Sequence, residues 1–390
     1  MRVLLIDPWG TNNTAEYLNG LIYGLSEAVE LTVCTNCYFD QYVETAARIE
    51  RIFFPKSELM ANGRKRTLIR GLEYIRAYLK ILARLKTGNY DVVHINWLLS
   101  YKIDAWFLRQ IKKYCRKVVY TAHNVLPHVN GELAKKDMQQ IYDLVDTIIV
   151  HGGNVRQEMV DTFPETESKI YIQKHGCVLR ETDKKNNDNL PMDLKDKWRK
   201  YKKVFLCCGA IFPNKGTDRI VRIWIENYMD EDALLVVGGR QTGDFPEYEK
   251  LKADAVSTSN IVLFEDFIEE SLMQTLFSLS SVVVLPYRHA SMSGVVFSAA
   301  QYAKPILCTE VGALPEYLVS EEDSIVCENT DEALKEAMDK LLLADWESLK
   351  EMGEKLHDNI KTKCDWRKIC DGVVNNAYEK GSLGFPTILN

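Results

Sequence analysis

Short, mainly apolar runs that end in a turn bearing glycine, histidine or serine recur along this chain, and they leave it few folds. In the first half they are Arg2–Ile6 (RVLLI), Leu31–Cys34, Asp91–Ile95 (DVVHI), Val118–Thr121, Asp146–Val150 (DTIIV) and Ile170–Gln173 (IYIQ). In the second they are Val204–Cys208, Ala233–Val237, Ile261–Leu263, Ser281–Leu285 (SVVVL), Ile306–Thr309 and Ser324–Cys327. Continuous rather than alternating apolar character marks strands covered on both faces, as in a parallel sheet. Helical spacing fills the gaps, as with Ala15, Leu18, Leu21, Ile22 and Leu25 in Thr14–Ala28. Strand, turn and helix in that order make half of a doubly wound sheet. The series breaks once, at Glu181–Lys203, where Asp, Lys and Asn replace the apolar pattern. The expectation is an α/β protein with two Rossmann-like domains, 1–180 and 181–365, closed by a helix and tail over 366–390. A chain of 390 residues suits about two domains.

Composition removes several function classes. A net charge of −6 argues against nucleic acid as a general partner. No apolar run approaches the roughly 20 residues of a bilayer span. Met1-Arg2 runs straight into a strand without a cleavage pattern, and the cysteines mostly sit in or beside apolar runs. Both point to a reducing cytoplasm. Cys34 and Cys37 form a C-x-x-C, but a metal site would want a second pair. The charge is uneven: Arg51 to Lys86 holds ten Lys/Arg against two Asp/Glu. Within it Thr67–Leu85 reads as a basic amphipathic helix. Leu68, Ile69, Leu72, Ile75, Leu79, Leu82 and Leu85 form one stripe, expected to pack on the sheet. Arg70, Arg76, Lys80 and Arg84 face elsewhere. The basic side of residues 64–86 is expected to touch anionic lipid head groups at a membrane surface.

The densest stretch is Pro286–Glu316, PYRHASMSGVVFSAAQYAKPILCTEVGALPE. After the SVVVL strand come Ser291 and Ser293, either able to cap a helix. Gly294 opens an apolar segment to Ala303, Lys304-Pro305 stops it, and Gly312 follows the next strand. First-turn amides and a positive helix end aimed at the mouth of a sheet bind anions. The loop Gly209–Gly216 (GAIFPNKG) precedes Thr217-Asp218, which are expected to cap a helix to about Tyr228, and Gly238-Gly239-Arg240 and Glu265-Asp266-Phe267 end two further strands. Gly10, in DPWG, is not part of a G-x-G-x-x-G, so nicotinamide binding has weak support. His123-Asn124 ends the Val118–Thr121 strand, with Pro127-His128 shortly after. Side chains at the carboxyl ends of parallel strands line the ligand crevice, which makes His123 the histidine best placed for chemistry. A satisfied structural histidine is the competing reading.

TAHNVLPH, GAIFPNKG and SMSGVVFSAAQYAKPILCTEVGALPE, in this order, resemble the retaining GT-B glycosyltransferases of family 4, the bacterial polysaccharide and lipopolysaccharide enzymes. The resemblance implies two Rossmann-like domains across a cleft, with donor on the second, acceptor on the first and the last helix crossing back. It implies transfer of a sugar from a UDP- or GDP-sugar to a saccharide or lipid-linked saccharide, without a metal or other cofactor. The role it implies lies in cell-surface polysaccharide synthesis, and the basic helix fits docking at an inner membrane face. Lys215 matches the lysine that grips the diphosphate, and His123 the histidine near the transferred sugar. Gly10, Gly209, Arg240, Phe267, Arg288, Ser291, Ser293, Gly294, Val295, Ser298 and Glu316 complete the implied donor contacts, and Asn124 and His128 the acceptor contacts. The chain departs from the pattern in three places. Ala210 stands where an arginine is usual, with Arg288 or Arg240 as stand-ins, and Ala290 and Ser298 replace the glutamates of E-x7-E. A non-catalytic nucleotide- or glycan-binding protein and a sugar-nucleotide epimerase are the alternatives. For a metal-dependent transferase the sequence offers only Asp230-Glu231-Asp232.

Overall fold

The computed structural model describes residues 1–11, 13–127, 131–179, 190–290 and 292–379. The chain divides into two compact units, Met1–Val178 with Cys364–Asn390, and Leu179–Lys363. The first is built on a parallel sheet of β1 (Arg2–Asp7), β2 (Glu30–Asn36), β3 (Arg48–Phe53), β4 (Val92–Ile95), β5 (Lys117–Thr121), β6 (Thr147–Val150) and β7 (Ile170–Ile172). The order is β3-β2-β1-β4-β5-β6-β7, so the chain leaves β1 towards one edge and returns to build the other. Its switch point lies between β1 and β4, where Val3 pairs with Val92 and Ile6 with Ile95. Alternate residues of β1 serve different cores, Leu4 and Ile6 on one face and Val3 and Leu5 on the other. That is why the run reads as continuously apolar.

Around this sheet lie α1 (Asn13–Leu25), α2 (Arg64–Gly88), α3 (Tyr101–Ile111), α4 (Gly131–Leu144) and α5 (Gly153–Thr162). A closing helix, Trp366–Gly372, passes into a π-helical segment, Val373–Glu379, and packs beside α1. Trp366 is only 2% exposed. A Cβ on Gly20 or Gly176 would come within 2.0 or 2.3 Å of its indole, so glycines make its cradle. Further on, the Tyr378 hydroxyl meets His94 Nδ1 at 2.7 Å.

Several expectations need correcting here. α1 stops at Leu25, not Ala28. β3 (RIERIF) was not anticipated; it is an edge strand whose polar side chains break the apolar run. α2 packs through Tyr74, Ala77, Tyr78, Ile81, Leu82 and Leu85. Leu68, Leu72, Ile75 and Leu79, expected against the sheet, are 67, 61, 38 and 53% exposed.

The second unit repeats the architecture with β8 (Lys203–Cys208), β9 (Ala233–Gly238), β10 (Ile261–Phe264), β11 (Val282–Leu285), β12 (Ile306–Thr309) and β13 (Ser324–Cys327). The strands are parallel in the order β10-β9-β8-β11-β12-β13, with the switch point between β8 and β11. Its helices are α6 (Met192–Lys200), α7 (Thr217–Asn227), α8 (Pro246–Ser257), α9 (Glu270–Leu279), α10 (Val295–Gln301), α11 (Asp331–Leu343) and α12 (Trp346–Lys363). α6 occupies part of the stretch read as a boundary loop. Residues 180–189 and the tail from 380 lie outside the described residues. α10 has 7 residues and ends before Ala303, which adopts a left-handed φ of 50°. There the Lys304 amide bonds to the Ala299 carbonyl at 2.9 Å.

Candidate active site

The two loops at the switch point of the second unit are the GAIFPNKG loop after β8 and the loop after β11. They interlock through backbone. Gly216 has a φ of 63°, and a Cβ there would lie 1.9 Å from the Pro286 carbonyl oxygen. The Arg288 amide donates to the Asn214 carbonyl at 2.8 Å. On this frame Lys215 places its ammonium 3.8 Å from the centre of the Tyr287 ring. Burial pulls its pKa down to about 8, because removing water disfavours the charged form. The ring face favours that form and opposes the shift. Tyr287 is buried and its hydroxyl meets Ser293 Oγ at 3.0 Å. Lys215, Tyr287 and Ser293 are therefore one cluster. At the start of α10, the Val296, Phe297 and Ser298 amides turn back onto the Ser293 and Gly294 carbonyls. The Gly294 and Val295 amides come before that ladder begins.

The structure assigns other work to several sequence candidates. Ser293 does not cap α10, whose preceding residue makes no side-chain cap, because its hydroxyl is turned to Tyr287. Asp218 does not cap α7; it accepts a bidentate pair from Arg288 at 2.6 and 2.7 Å. Arg288 also donates to the Pro213 carbonyl at 2.9 Å, so its guanidinium clamps the loop. Gly209 donates its amide to the Gly238 carbonyl, and its own carbonyl lies 1.7 Å from where a Gly239 Cβ would be. The close approach of the two loops thus needs glycine at 239, whereas Gly209 itself holds a φ of 134°. Arg240 is exposed, 6.0 Å from the centre of the Phe267 ring, which is itself 70% exposed. Glu316 is half-buried in the short Leu314–Glu316 turn, and Ser298 is half-buried in α10. Ala290 is 9% exposed. Asp232 pairs with Lys202 at 2.8 Å beside β9. Ser291 and His128 lie outside the described residues.

At the switch point of the first unit the sequence hid a relay. Asp7, at the end of β1, is fully buried and its carboxyl is pushed up to about 6 by that burial. One oxygen accepts from the Trp9 and Gly10 amides at 2.9 and 3.0 Å, the other from Asn96 Nδ2 at 2.5 Å. Gly10 is thus committed to Asp7, and its φ of 44° and nearby Thr35 explain the glycine. Asn96 Oδ1 faces His123 Nε2 at 3.0 Å. Since the Asn96 amide donates to Asp7, its oxygen accepts, which puts the His123 proton on Nε2 and the lone pair on Nδ1. The ring stacks on Trp97, centroids 3.9 Å apart at 6°, and meets the Tyr17 edge at 4.9 Å. Burial and the neighbouring His151, His175 and His94 hold His123 well below the usual histidine pKa, so it is neutral at pH 7. Asn124, half-buried, follows it.

Residues 16–179 match the family model for glycosyltransferase family 4, and residues 202–344 match that for glycosyl transferases group 1. The chain belongs to this family. A curated relative, an uncharacterized glycosyltransferase of Methanocaldococcus jannaschii, is 22% identical over 311 residues, 76% of this chain and 77% of that one. Among solved structures, sucrose-phosphate synthase of Thermosynechococcus elongatus aligns with a TM-score of 0.69 at 16% identity, covering 96% of this chain and 98% of that one. Anabaena HepE in complex with UDP and glucose aligns at 0.69 and 12%, covering 97 and 100%. At such identities the likeness is one of fold, and the two Rossmann-like sheets are those of a GT-B glycosyltransferase. Asp7, Asn96, Trp97 and Tyr287 are the residues that sequence reasoning missed in this transferase. Only Tyr287, directly after SVVVLP, carried a signal.

Proposed function

We propose that this glycosyltransferase moves a sugar from a nucleoside-diphosphate donor to a saccharide or lipid-linked saccharide, with retention at the anomeric carbon. The carrying observation is the Lys215–Tyr287–Ser293 cluster at the switch point of the second unit. It joins two separately read stretches into one anion site beside the Gly294 and Val295 amides. In that reading Lys215 and the two amides take up charge as the bond between the sugar and the diphosphate breaks. The same departing oxygen receives the acceptor's proton as the new glycosidic bond forms on the face it leaves. Arg240 and Phe267 flank the nucleotide. His123, neutral and with its Nδ1 lone pair free to accept, orients a sugar hydroxyl. HepE, the structural neighbour, holds UDP and glucose, which supports a UDP-sugar donor. The family resemblance supports a role in cell-surface polysaccharide synthesis.

Thermal stabilisation by a panel of UDP-, GDP- and dTDP-sugars identifies the donor, because a ligand that binds only the folded state raises Tm. Transfer to saccharide acceptors followed by NMR of the new linkage then reads its anomeric configuration. Inverted product refutes retention. Binding without transfer or hydrolysis makes the protein a nucleotide-sugar receptor, and isomerised donor without acceptor makes it an epimerase.

A further inference from the structure

The face that α2 leaves uncovered has a composition of its own. Leu68, Leu72, Ile75 and Leu79 project from it, all exposed. At 100° per residue they fall within about 60° of arc and run for roughly 16 Å along the helix. The packed stripe of Tyr74, Tyr78, Ile81 and Leu85 lies on another side. The fold already has its core there and does not need the second stripe.

The charges around the stripe are sorted. Arg64, Lys65, Arg76, Lys80 and Lys86 are exposed, and none pairs with a carboxylate among the described residues. The other three cations of α2 are turned inward. Arg66 donates to the Ser57 carbonyl at 3.0 Å. Arg70 pairs with Glu58 at 3.2 Å and covers the Phe54 ring at 4.0 Å. Arg84 pairs with Glu50. Glu73, the helix's one carboxylate, accepts from the Ser57 hydroxyl at 2.6 Å and from the Lys56 amide at 2.9 Å. The exposed face therefore carries apolar side chains and cations and no anion.

We propose that this face of α2 docks on an anionic lipid bilayer, with the four apolar side chains entering the interface and the five cations meeting lipid phosphates. A helix with a narrow apolar ridge flanked by Lys and Arg lies in the plane of such an interface. A second copy of this chain is a poorer occupant, because a twofold contact would set the five cations against the same five. Arg70 also stands 4.8 Å from the Trp9 ring centre, which puts the amino end of α2 beside the loop after β1. The bilayer would meet the first unit at the end of the sheet that carries Asn96 and His123. This deepens the proposed use of a lipid-linked acceptor, but the docking itself does not depend on it.

The test is flotation of the full chain with phosphatidylcholine vesicles, alone or with about one-third phosphatidylglycerol. The wild type floats with the anionic vesicles and stays behind with the neutral ones, and added salt weakens the binding. Leu72→Ser/Leu79→Ser lowers the partition coefficient on the order of a hundredfold, about tenfold for each leucine withdrawn. Arg76→Glu/Lys80→Glu lowers it by several hundredfold, at about fivefold for each of the four units of charge reversed near the surface. Both variants keep the wild-type melting temperature in the absence of lipid, since these side chains are exposed. They also keep the wild-type donor affinity, which separates failure of docking from failure of the transferase reading. Equal binding to neutral vesicles, or unchanged flotation of either variant, overturns the proposal. So does a wild-type dimer in sedimentation that Leu72→Ser/Leu79→Ser dissociates without lipid.

Discussion

Donor binding should weaken above pH 8, and Lys215 should be the reason. Its ammonium sits over Tyr287 with a pKa lowered to about 8. The sign follows directly: a diphosphate attracts the charged lysine, so affinity is full below pH 8 and falls above it. About ten in eleven sites carry the proton at pH 7 and about one in eleven at pH 9, so Kd rises roughly tenfold between them. A nucleoside diphosphate sugar is the right probe, because its diphosphate holds the same charge across that range. Titration calorimetry with UDP-glucose, or with whichever donor stabilises the protein most, would read the profile. Lys215→Met should raise Kd at pH 7 on the order of tenfold to a hundredfold, as expected for a hydrogen bond to a charged group. It should also flatten the profile. Lys304 is lowered to about 8 as well, but it lies at the amino end of β12, away from the loops that hold Lys215. Lys304→Met should keep the inflection. A wild-type Kd unchanged from pH 7 to 9, or the same inflection in Lys215→Met, would refute the assignment.

Other outcomes follow from the packing. Lys304→Met should raise Tm at pH 7, because folding there buries a cation. The gain should shrink as pH climbs from about 8 towards the ordinary lysine value of 10.5, where the folded wild type has shed a proton the unfolded chain still holds. Trp366→Ala should cost about 3–5 kcal/mol in urea denaturation, since the indole fills a cradle formed by glycines. Gly216→Ala combines a left-handed φ with a clash against Pro286. It should destabilise by about 1–3 kcal/mol and weaken donor binding with it, because it parts the two loops that hold Lys215. Arg288→Met should lower Tm through loss of its pair with Asp218, yet leave the UDP-glucose Kd at the wild-type value in calorimetry.

The strands were legible because parallel sheets bury both faces, so β1, β4, β8 and β11 each announce themselves as unbroken apolar runs. β3 did not, since at the edge of the sheet neither face is fully covered: Arg48 and Arg51 point to opposite faces and both are exposed. α2 misled for a different reason. It carries two apolar rows at helical spacing, and the one richer in leucine is the exposed one. Tyr74 and Tyr78 win the core because their rings stack with Phe54 and Phe107, and Asp104 accepts the Tyr74 hydroxyl. No count of aliphatic residues weighs that. At the site, GAIFPNKG and the SMSGVV stretch could be read because each is contiguous. The Asp7–Asn96–His123 relay could not, because its members lie 89 and 27 residues apart and meet only when β1, β4 and β5 pair.

The three departures from the family pattern fit together as a matter of charge. An arginine at 210 with glutamates at 290 and 298 would add one cation and two anions around Lys215. Here all three are absent and Arg288 is held by Asp218, and no carboxylate among the described residues acts on the Lys215 charge. In the proposed reading such a site gives up contacts to sugar hydroxyls and keeps its pull on a diphosphate. Its lysine then has no carboxylate to hold its proton, and desolvation sets the pKa. Restoring one carboxylate should therefore move the titration, not merely the affinity. Ser298→Glu should shift the pH inflection of donor binding upward, and Ala210→Arg should tighten binding while moving the inflection down. If both substitutions leave the inflection in place, the charge at these positions does not reach Lys215 and the compensation argument fails.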